Sequence, residues 1–387
     1  MKNSIKGFLC ALMISTGAIA QQSDKRVVEK QVGNKVAWNE EQVEAEVYAR
    51  VDQAVGNIAF TPRGELVYSH HPFFNPENRV VRYDAGTGKS YPFPSKAWNT
   101  PRRTDDHYLS SVLGIRSDAN GTIWMLDMGK YPAVTPKIVG WNTNKNQLEK
   151  IYYIPAPATI ESSQHNDMVV DLKHRVFIIA DEGIGNGGDG SKAALVTVDM
   201  KTGKTRRVLQ GHRTTLPENT PTTIGNQLLA VNGKPLLVGA DGITADAENE
   251  WLYYAPLNGT KIYRLRIEDL INEHLGEAAL DKRIETYAIK PNNGGLSIDK
   301  QNNLYLTAME TNSVSVILSK DRSEHTYSSD KNMLWPDGAS YNAVDGYMYV
   351  SAAQLQLGAV FNNGKDKTHK LFYIFRFKPI TEGVPYR

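Results

Sequence analysis

A short hairpin pattern that recurs six times limits what this chain can fold into more than any other feature. Each copy has a small or polar opening, a short apolar strand, a polar turn and a second strand rich in aromatic and β-branched residues, which is typical of a β-hairpin. The copies are VGNIAFTPRGELVYS from Val55, VLGIRSDANGTIWMLDMG from Val112, HNDMVVDLKHRVFIIADEG from His165, GADGITADAENEWLYYAPLNG from Gly239, NGGLSIDKQNNLYLTAMETN from Asn293 and PDGASYNAVDGYMYVSAAQ from Pro336. Self-similarity of this kind predicts a repeat architecture.

The copies share one register, at intervals of 57, 53, 75, 53 and 43 residues. The aligned positions are Gly56, Leu113, Asn166, Asp241, Gly294 and Asp337. A second strand–turn–strand motif follows each of the first three copies, so each unit has four strands. Six such sheets bury both faces when they pack radially, and we therefore predict an all-β fold, a six-bladed β-propeller around a central channel. Two unrelated all-β domains are the alternative, but no Pro/Gly/Ser-rich linker interrupts the repeat.

Segments outside the repeat complete the predicted organisation. EAEVYARV from Glu44 and KLFYIFRFKP from Lys370 are expected to pair within one blade and close the ring. The 75-residue interval contains HRTTLPENTPTTIGNQ, which predicts a surface loop, and RIEDLINEHLGEAALDKR from Arg266 predicts one short helix between blades. The expected boundaries are a leader over 1–20, an extension over 21–42 and a single propeller domain over 43–387.

The N-terminus resembles a secretory signal. Lys2 and Lys6 form a short basic region before an apolar stretch, residues 7–18, which is too short to span a bilayer, and Ala-Ile-Ala at 18–20 is typical of a cleavage site. We therefore predict a secreted or periplasmic protein cleaved after Ala20. Cys10 is the single cysteine and lies in the leader, so the mature chain would have no disulfide or thiolate chemistry.

Charge excludes several kinds of partner. Without Lys2 and Lys6, the 44 basic residues become 42, which equals the 42 acidic residues. A balanced chain of this kind does not predict a nucleic-acid-binding stripe or a patch for anionic membranes. The sequence has no second apolar run long enough to span a membrane. The expected partner is therefore a small molecule, with protein partners left open.

Three polar residues occupy the aligned position near the start of the inner strand: Asn166, Asp241 and Asp337. The innermost strands of a propeller line its central channel, so these residues should meet near one mouth. A ring of amide and carboxylate oxygens there would suit a cation or a polar ligand. The alternative is that each is an ordinary turn residue, since Asp-Gly is a common turn dipeptide.

Other candidates lie beside these positions. Glu310 and Asn312 follow the strand NLYLTA and would reach the same mouth, unless they form an exposed turn. His165 precedes Asn166 and is either a ligand contact or a structural hydrogen-bonding residue. Asp127 and Asp181 end the second strands of their units, where we expect them to cap backbone amides.

Common catalytic motifs are missing. The Gly-rich DEGIGNGGDG is not followed by Gly-Lys-Ser/Thr and lacks EF-hand spacing, so it predicts neither a phosphate loop nor a calcium loop. His70 and His71 are adjacent and would point to opposite faces of a strand, which disfavours a two-histidine metal site. The sequence has no His-Glu-x-x-His and no Gly-x-Ser-x-Gly, so zincin and serine hydrolase chemistry are unsupported.

The motifs LSSVLGIRSDANGTIWMLDMG, PKIVGWNTNKNQL, HNDMVVD, GADGITADAENEWLYYAPLNGTKIYRL and METNSVSV resemble the major royal jelly protein / yellow family, from about Gly56 to Phe377. This resemblance implies a propeller that binds a small ligand, such as a biogenic amine, in its channel, or a relation to dopachrome conversion. It also implies a ligand contact at Asn312. Ala352 and Ala353 replace the Ser-Asn-like segment that supplies a second contact in amine-binding members.

The chain is similar, more distantly, to gluconolactonase and regucalcin-type propellers. This likeness implies a divalent metal held by a Glu, an Asn and an Asp from inner strands. Asn166 and Asp241 match the Asn and Asp registers, whereas Gly56 and Asn57 stand where the Glu is expected. A third donor would have to come from Glu310 or Asp337.

Three functions follow as alternatives. The first is a small-molecule-binding propeller with its ligand near Asn166, Asp241 and Asn312. The second is an enzyme: a lactone hydrolase with one divalent cation, calcium or similar, on Asn166 and Asp241, or a dopachrome-type tautomerase without a required metal. Asp241, Asp337 and Glu310 are the candidate acid–base residues. The third is a protein-interaction platform.

Overall fold

The computed structural model describes residues 42–102, 105, 107–130 and 132–387. The predicted leader, residues 1–20, and nearly all of the predicted extension, 21–42, lie outside these residues. The described chain forms six four-stranded antiparallel sheets arranged as the blades of a propeller. The predicted all-β, six-bladed fold is therefore confirmed. No helix in the described part of the chain is long and apolar enough to cross a membrane.

The strands of each blade are consecutive in the chain, except that the first strand belongs to the last blade. The sequence begins with β1 (Glu46–Val51) and continues through blade 1, with β2 (Val55–Phe60), β3 (Leu66–His70), β4 (Val80–Asp84) and β5 (Lys89–Pro92). Blade 2 contains β6 (Val112–Ser117), β7 (Thr122–Asp127), β8 (Lys137–Asn142) and β9 (Gln147–Tyr153). Blade 3 contains β10 (His165–Asp171), β11 (Val176–Asp181), β12 (Ala194–Asp199) and β13 (Thr205–Val208).

Two small hairpins separate blades 3 and 4. Their strands are β14 (Thr223–Ile224), β15 (Gln227–Leu228), β16 (Ala230–Val231) and β17 (Lys234–Pro235). Blade 4 contains β18 (Ala240–Ala245), β19 (Trp251–Pro256), β20 (Lys261–Arg266) and β21 (Glu285–Ile289), and blade 5 contains β22 (Leu296–Ile298), β23 (Leu304–Ala308), β24 (Ser313–Ile317) and β25 (Glu324–Ser329). Blade 6 contains β26 (Pro336–Asn342), β27 (Tyr347–Ala352) and β28 (Phe372–Phe377). Short 3₁₀ turns lie at Pro72–Phe74, Gly185–Gly187, Leu355–Leu357 and Ala359–Phe361.

The two ends of the propeller meet in blade 6, as predicted. Strand β1 pairs antiparallel with β28, so the sheet order is β26, β27, β28, β1. Glu46 is opposite Arg376, and the two side chains form a salt bridge of 2.9 Å. The first strand of the domain thus supplies the outer strand of the last blade and closes the ring.

One expectation about an inserted segment was wrong, and the predicted surface loop was confirmed only in part. The segment from Arg266 forms two helices, α1 (Ile267–Ile271) and α2 (Glu277–Asp281), and both lie between β20 and β21 within blade 4. Asn272 ends the first helix in an extended conformation and Gly276 precedes the second, so one continuous helix does not form. The predicted surface loop buries Thr214 and Thr215 completely and leads into the two small hairpins.

Apolar side chains fill the spaces between blades. Ile178 and Leu195 of blade 3 pack against Ile243 and Leu252 of blade 4, and all four are fully buried. Burying a side chain of this size contributes about 1.5–3 kcal/mol. The inner strands are buried along their whole length, whereas outer strands such as β9 alternate with exposed residues. The apolar residues of the repeat therefore form the core between neighbouring blades.

Acidic residues end several inner strands and fix the hairpin turns. Asp118, Asp246 and Asp299 each accept two backbone N–H bonds from the turn that follows, at 2.7–3.2 Å. The predicted caps at the other end are also confirmed, because Asp127 and Asp181 accept backbone N–H bonds at 2.8–3.0 Å. These carboxylates belong to the scaffold.

Close approach of neighbouring inner strands explains a row of glycines. A Cβ on Gly242 would lie 2.6 Å from the carbonyl oxygen of Gly294, and one on Gly338 would lie 2.7 Å from the Cα of Asn57. Both contacts are with backbone, which cannot rotate away. Glycine at this position lets the inner strands converge and brings the preceding residue, Asp241 or Asp337, towards the axis.

Candidate functional site

One end of the inner-strand ring brings the predicted polar residues together. The second residue of the inner strand faces a small cavity in blades 2, 3, 4 and 6, which contribute Leu113, Asn166, Asp241 and Asp337. Gly56 and Gly294, at the same register, have no side chain to add. The repeat alignment therefore placed three polar side chains beside one another although 75 and 96 positions separate them along the chain.

A second set of equivalent positions in the repeat, which the sequence analysis missed, supplies the remaining polar side chains of the cavity wall. The residue that follows the second strand of a blade also faces the cavity, and it is His71 in blade 1, Glu182 in blade 3 and Leu257 in blade 4. The last residue of each second strand is opposite the first residue of the inner strand, so the two registers lie side by side. Aligning the copies on the end of the second strand would have found Glu182.

Glu182 and Asp241 form a buried pair of carboxyl groups joined by a hydrogen bond. Asn166 Nδ2 donates to Asp241 Oδ1 at 2.5 Å, and the amide of Gln164 donates to Glu182. Burial raises the pKa of Glu182 to about 8, and the charge of Asp337 adds to this rise. Burial and the neighbouring Glu182 raise the pKa of Asp241 well above its usual range. Two adjacent carboxyls of this kind share a proton at neutral pH.

Asp337 faces the cavity from blade 6. Its Oδ2 atom is buried without a hydrogen-bond partner and lies 3.8 Å from Nε2 of His71. Burial raises the pKa of Asp337 well above its usual range and lowers the pKa of His71 to about 3, so this contact is not an ion pair at neutral pH. A buried, unpartnered carboxyl oxygen is costly unless a ligand completes it.

A buried lysine lies near the carboxyl pair. Burial lowers the pKa of Lys290 to about 7, while the charges of Asp241, Glu218 and Glu310 oppose this shift. Its ammonium donates to the carbonyl oxygens of Leu257 and Pro291 at 3.2 and 3.1 Å. Lys290 therefore supplies local positive charge next to the site, but its side chain is held by carbonyl groups outside the cavity wall.

Buried charged side chains fill the axis below the cavity. Arg116 forms a salt bridge with Asp167 and donates to Asn57 Oδ1 at 2.7 Å, which links the inner strands of blades 1, 2 and 3. Farther along the same strands, Arg387 donates to the carbonyl oxygens of Val170 at 3.4 Å and Ala245 at 3.1 Å. These arginines close the axis beneath the carboxyl pair.

The opposite wall of the cavity is apolar and comes from loops. Its main contributors are Leu229, Leu236, Val238, Trp335, Leu355 and Phe361, most of which belong to one buried cluster. The volume of the cavity is about 40 Å³. A cavity with carboxyl groups on one side and an apolar wall on the other suits an amphiphilic small molecule.

The structure places the other sequence candidates away from this cavity. His165 turns into blade 3, where Nε2 lies 2.9 Å from Thr159 Oγ1 and Nδ1 lies 3.5 Å from Asp181. Glu310 accepts a 2.7 Å bond from the backbone N–H of Thr223, outside the cavity wall. Asn312 lies in the turn between β23 and β24 with a φ of 51° and is not among the lining residues.

Whether a divalent cation fits this site depends on the donor atoms around Asn166 and Asp241. Asn166 and Asp241 are adjacent, as the metal prediction requires, but they bond to each other, and Asp241 also bonds to Glu182. Among the described residues, no group of three or more His, Cys, Asp or Glu could hold a metal ion. Oxygen-ligated calcium usually needs six or more donors, so the side chains present do not fit such an ion as arranged.

Comparison with known proteins identifies a sequence family and a fold. The profile of a family described as "Major royal jelly protein" matches residues 110–378. No protein with a curated description matches the sequence.

Solved structures with a similar fold have little sequence identity. A gluconolactonase from Xanthomonas campestris is 11% identical with a TM-score of 0.53, covering 87% of this chain and 94% of its own. A luciferin-regenerating enzyme is 12% identical with a TM-score of 0.54, covering 89% and 99%. A calcium-binding protein, regucalcin, from Agrobacterium tumefaciens is 11% identical with a TM-score of 0.53, covering 90% and 100%. At this identity the likeness concerns the fold alone.

Proposed function

Because the chain belongs to the major royal jelly protein family, we propose that it binds a small molecule at one mouth of its central channel. The ligand would have a positively charged or hydrogen-bonding end and an apolar or aromatic body. The observation that carries this proposal is the unpartnered Oδ2 of Asp337, which faces an apolar wall across the cavity. An ammonium group on this oxygen would satisfy a buried acceptor and favour its charged form.

The polar end and the apolar end have separate partners in this proposal. Asp337, Asp241 and Glu182 would receive the charged end, with Asn166 holding Asp241 in place. Trp335 and Phe361 would pack against an aromatic ring, and their own rings already stack at a centroid distance of 6.3 Å. Aromatic amines fit both halves, whereas sugar lactones offer no cation to the carboxyls.

A thermal-shift screen with catecholamines, indoleamines and sugar lactones tests this proposal. At a ligand concentration one hundred times the Kd, binding stabilises the folded state by about 2.7 kcal/mol. We expect amines to raise the Tm of the wild type and to raise that of Asp337→Asn much less. Stabilisation by lactones alone, or by none of the compounds, contradicts the proposal.

An acid–base enzyme is the second candidate, and the Glu182–Asp241 pair favours it. Two buried carboxyls that share a proton can take a proton from one carbon of a ligand and return it to another. This would be a tautomerase-type reaction, in which Asp241 and Glu182 exchange roles as base and acid. Loss of turnover of a dopachrome-like substrate in both Glu182→Gln and Asp241→Asn, with ligand binding retained, would support it.

A metal-dependent lactone hydrolase has weaker support. The divalent cation predicted on Asn166 and Asp241 stays a prediction, and the donor set described above does not complete its coordination. Elemental analysis of the purified protein before and after chelation measures the metal content directly, and about one bound ion per chain would revive this function.

We also propose that the protein is exported, on the basis of the predicted leader. Residues 1–20 have the basic start, the short apolar stretch and the Ala-Ile-Ala site of a signal peptide. N-terminal sequencing of protein recovered from an expressing cell tests this, because cleavage after Ala20 gives a mature chain beginning Gln-Gln-Ser. An intact Met1 would contradict it.

A further inference from the structure

The longest interval of the repeat crosses the end of the propeller that carries the cavity. Within it, residues 222–238 form the two small hairpins β14–β15 and β16–β17, whose strands are only two residues long. Asn232 and Gly233 make the tight turn of the second hairpin with φ values of 51° and 76°. Thr222, Leu229, Leu236 and Val238 of this segment contribute to the cavity wall. The segment therefore covers the site.

The cavity is too small for the proposed ligand while the segment stays in place. Its volume of about 40 Å³ accommodates a few water molecules, because one water needs roughly 10–15 Å³ by this measure. The axis below is closed by the Arg116–Asp167 salt bridge and by Arg387. Entry of a molecule larger than water through the side that this segment covers thus requires the segment to move.

A single buried side chain holds both ends of the segment. Asn258 Oδ1 accepts from the backbone N–H of Val238 at 2.7 Å. Asn258 Nδ2 donates to the carbonyl oxygen of Thr220 at 2.8 Å and to Thr222 Oγ1 at 3.0 Å. Since Asn258 belongs to blade 4 and is fully buried, the two ends are tied to one fixed point, and the hairpins project from it.

Two exposed or half-exposed hydrogen bonds hold the hairpins down. Glu310 accepts from the backbone N–H of Thr223 at 2.7 Å, and Gln227 Nε2 donates to the carbonyl oxygen of Phe361 at 3.3 Å. Leu229 adds a buried apolar contact within the same cluster as Trp335. Breaking these bonds exposes far less surface than separating two blades, so local opening should precede global unfolding.

We propose that residues 222–238 form a lid that opens about Asn258, by release of Thr223 from Glu310 and of Gln227 from Phe361, to admit a ligand to the cavity. The proposal rests on the proposed function for the identity of the site, but the movement itself requires no ligand. Closure over a bound molecule would exclude water from the carboxyl groups, which strengthens their interaction with a charged ligand.

Hydrogen exchange of the unaltered protein is the first test. The amide of Leu229 bonds to the carbonyl oxygen of Thr222, and the amide of Leu236 bonds to that of Leu229, each at 3.0 Å. Under native conditions we expect these amides to exchange at least tenfold faster than those of β11 and β23, which open with the whole fold. Equal protection in the lid and the blades overturns the proposal.

A thiol-labelling experiment tests the role of Glu310. Leu229→Cys and the control Leu306→Cys, in a Cys10→Ser background, each place one thiol at a buried position, in the lid and in blade 5 respectively. We expect Glu310→Ala to increase labelling at 229 severalfold and to leave 306 unchanged. Glu310→Gln keeps an acceptor for Thr223 and should have little effect. An unchanged labelling rate at residue 229 in Glu310→Ala would show that Glu310 does not hold the lid closed.

Both measurements are made without ligand, so they separate the two proposals. Fast lid exchange together with a failed thermal-shift screen would refute the proposed ligand class and leave the lid standing. A successful screen with a fully protected lid would support the proposed ligand class and refute the lid.

Discussion

The amide of Asn166 donates a 2.5 Å hydrogen bond to Asp241 across the junction of blades 3 and 4. The two residues occupy the same position in successive copies of the repeat and are 75 positions apart in the chain. Their contact shows how a repeated register, once the ring is closed, becomes a set of neighbouring side chains around the axis. Four predictions follow from this arrangement and from the charged groups around it.

The first concerns Glu182. Its pKa is raised from the ordinary 4.5 to about 8 in the folded state, so the folded protein binds this proton more tightly than the unfolded chain. Its contribution to stability is therefore fully present below about pH 4.5 and is lost as the pH rises through about 8. Glu182→Gln should gain stability relative to the wild type over this range, by at most about 1.4 kcal/mol per pH unit for one proton.

Chemical denaturation of both proteins from pH 5 to pH 9 measures this difference. Asp241 and Asp337 face Glu182 in the cavity and also have raised pKa values, whereas the lowered pKa of Lys290 acts in the opposite direction above about pH 7. Lys290 is present in both proteins, so its intrinsic contribution largely cancels. A difference in unfolding free energy that does not vary with pH would show that Glu182 titrates normally.

The second prediction links binding of an amine to proton release. Burial raises the pKa of Glu182 to about 8 and raises the pKa of Asp337, whereas an ammonium group favours the charged forms of both carboxyls. Affinity for a catecholamine should therefore increase between about pH 5.5 and 8. Calorimetry in two buffers of different ionisation enthalpy should give different heats. Equal heats in both buffers, or a reduced affinity at the higher pH, would exclude this linkage.

The third prediction concerns the buried salt bridge below the cavity. Arg116 and Asp167 are each nearly inaccessible to solvent, so Arg116→Ala leaves a buried carboxyl without its cation. We expect a loss of about 3–5 kcal/mol in unfolding free energy. Arg63→Ala, which removes a solvent-exposed partner of Glu65, is the matched control and should cost less than about 1 kcal/mol. Similar losses in the two variants would mean that the buried pair is not a structural link.

The fourth prediction concerns ring closure. Deleting residues 371–387 removes β28, the strand that connects β1 to β27, and should abolish cooperative folding. Arg387→Ala retains β28 and loses the side-chain bonds to Val170, Ala245 and Asn249, so it should fold with reduced stability. Circular dichroism during thermal unfolding distinguishes these results. A soluble truncated chain with a sharp transition would show that closure is dispensable.

The sequence was sufficient for the blades because the same alternation appears in every copy. The register placed Asp241 and Asp337 at one end of the axis, and the paired termini predicted the closing strand. Glu182 was missed because the copies were aligned only on their inner strands, although its position after β11 follows an equally regular register. His71 was not predicted as a cavity residue for the same reason, and because it follows β3 instead of lying within it.

The cavity's apolar wall could not be predicted from the repeat. Residues 222–238 have no counterpart in the other copies, and their Pro-, Thr- and Gly-rich surroundings resemble an exposed loop. Their position depends on Asn258, whose hydrogen bonds to Thr220 and Val238 join points that are far apart in sequence. Glu310 was correctly placed near this end of the propeller, but as a contact to the insertion and not to the cavity.

The pairing of the first strand with the last has a consequence for biosynthesis. Glu46 bonds to Arg376, a partner 330 residues later in the chain. At synthesis rates of about 5–20 residues per second, β1 emerges roughly 15–65 s before its partner exists. During that interval the most recently completed blade has a neighbouring blade on one side only. Strand β1 has no pairing strand at all. The ring is therefore a product of the finished polypeptide, and any factor that shields unpaired strands must act for the whole of its translation.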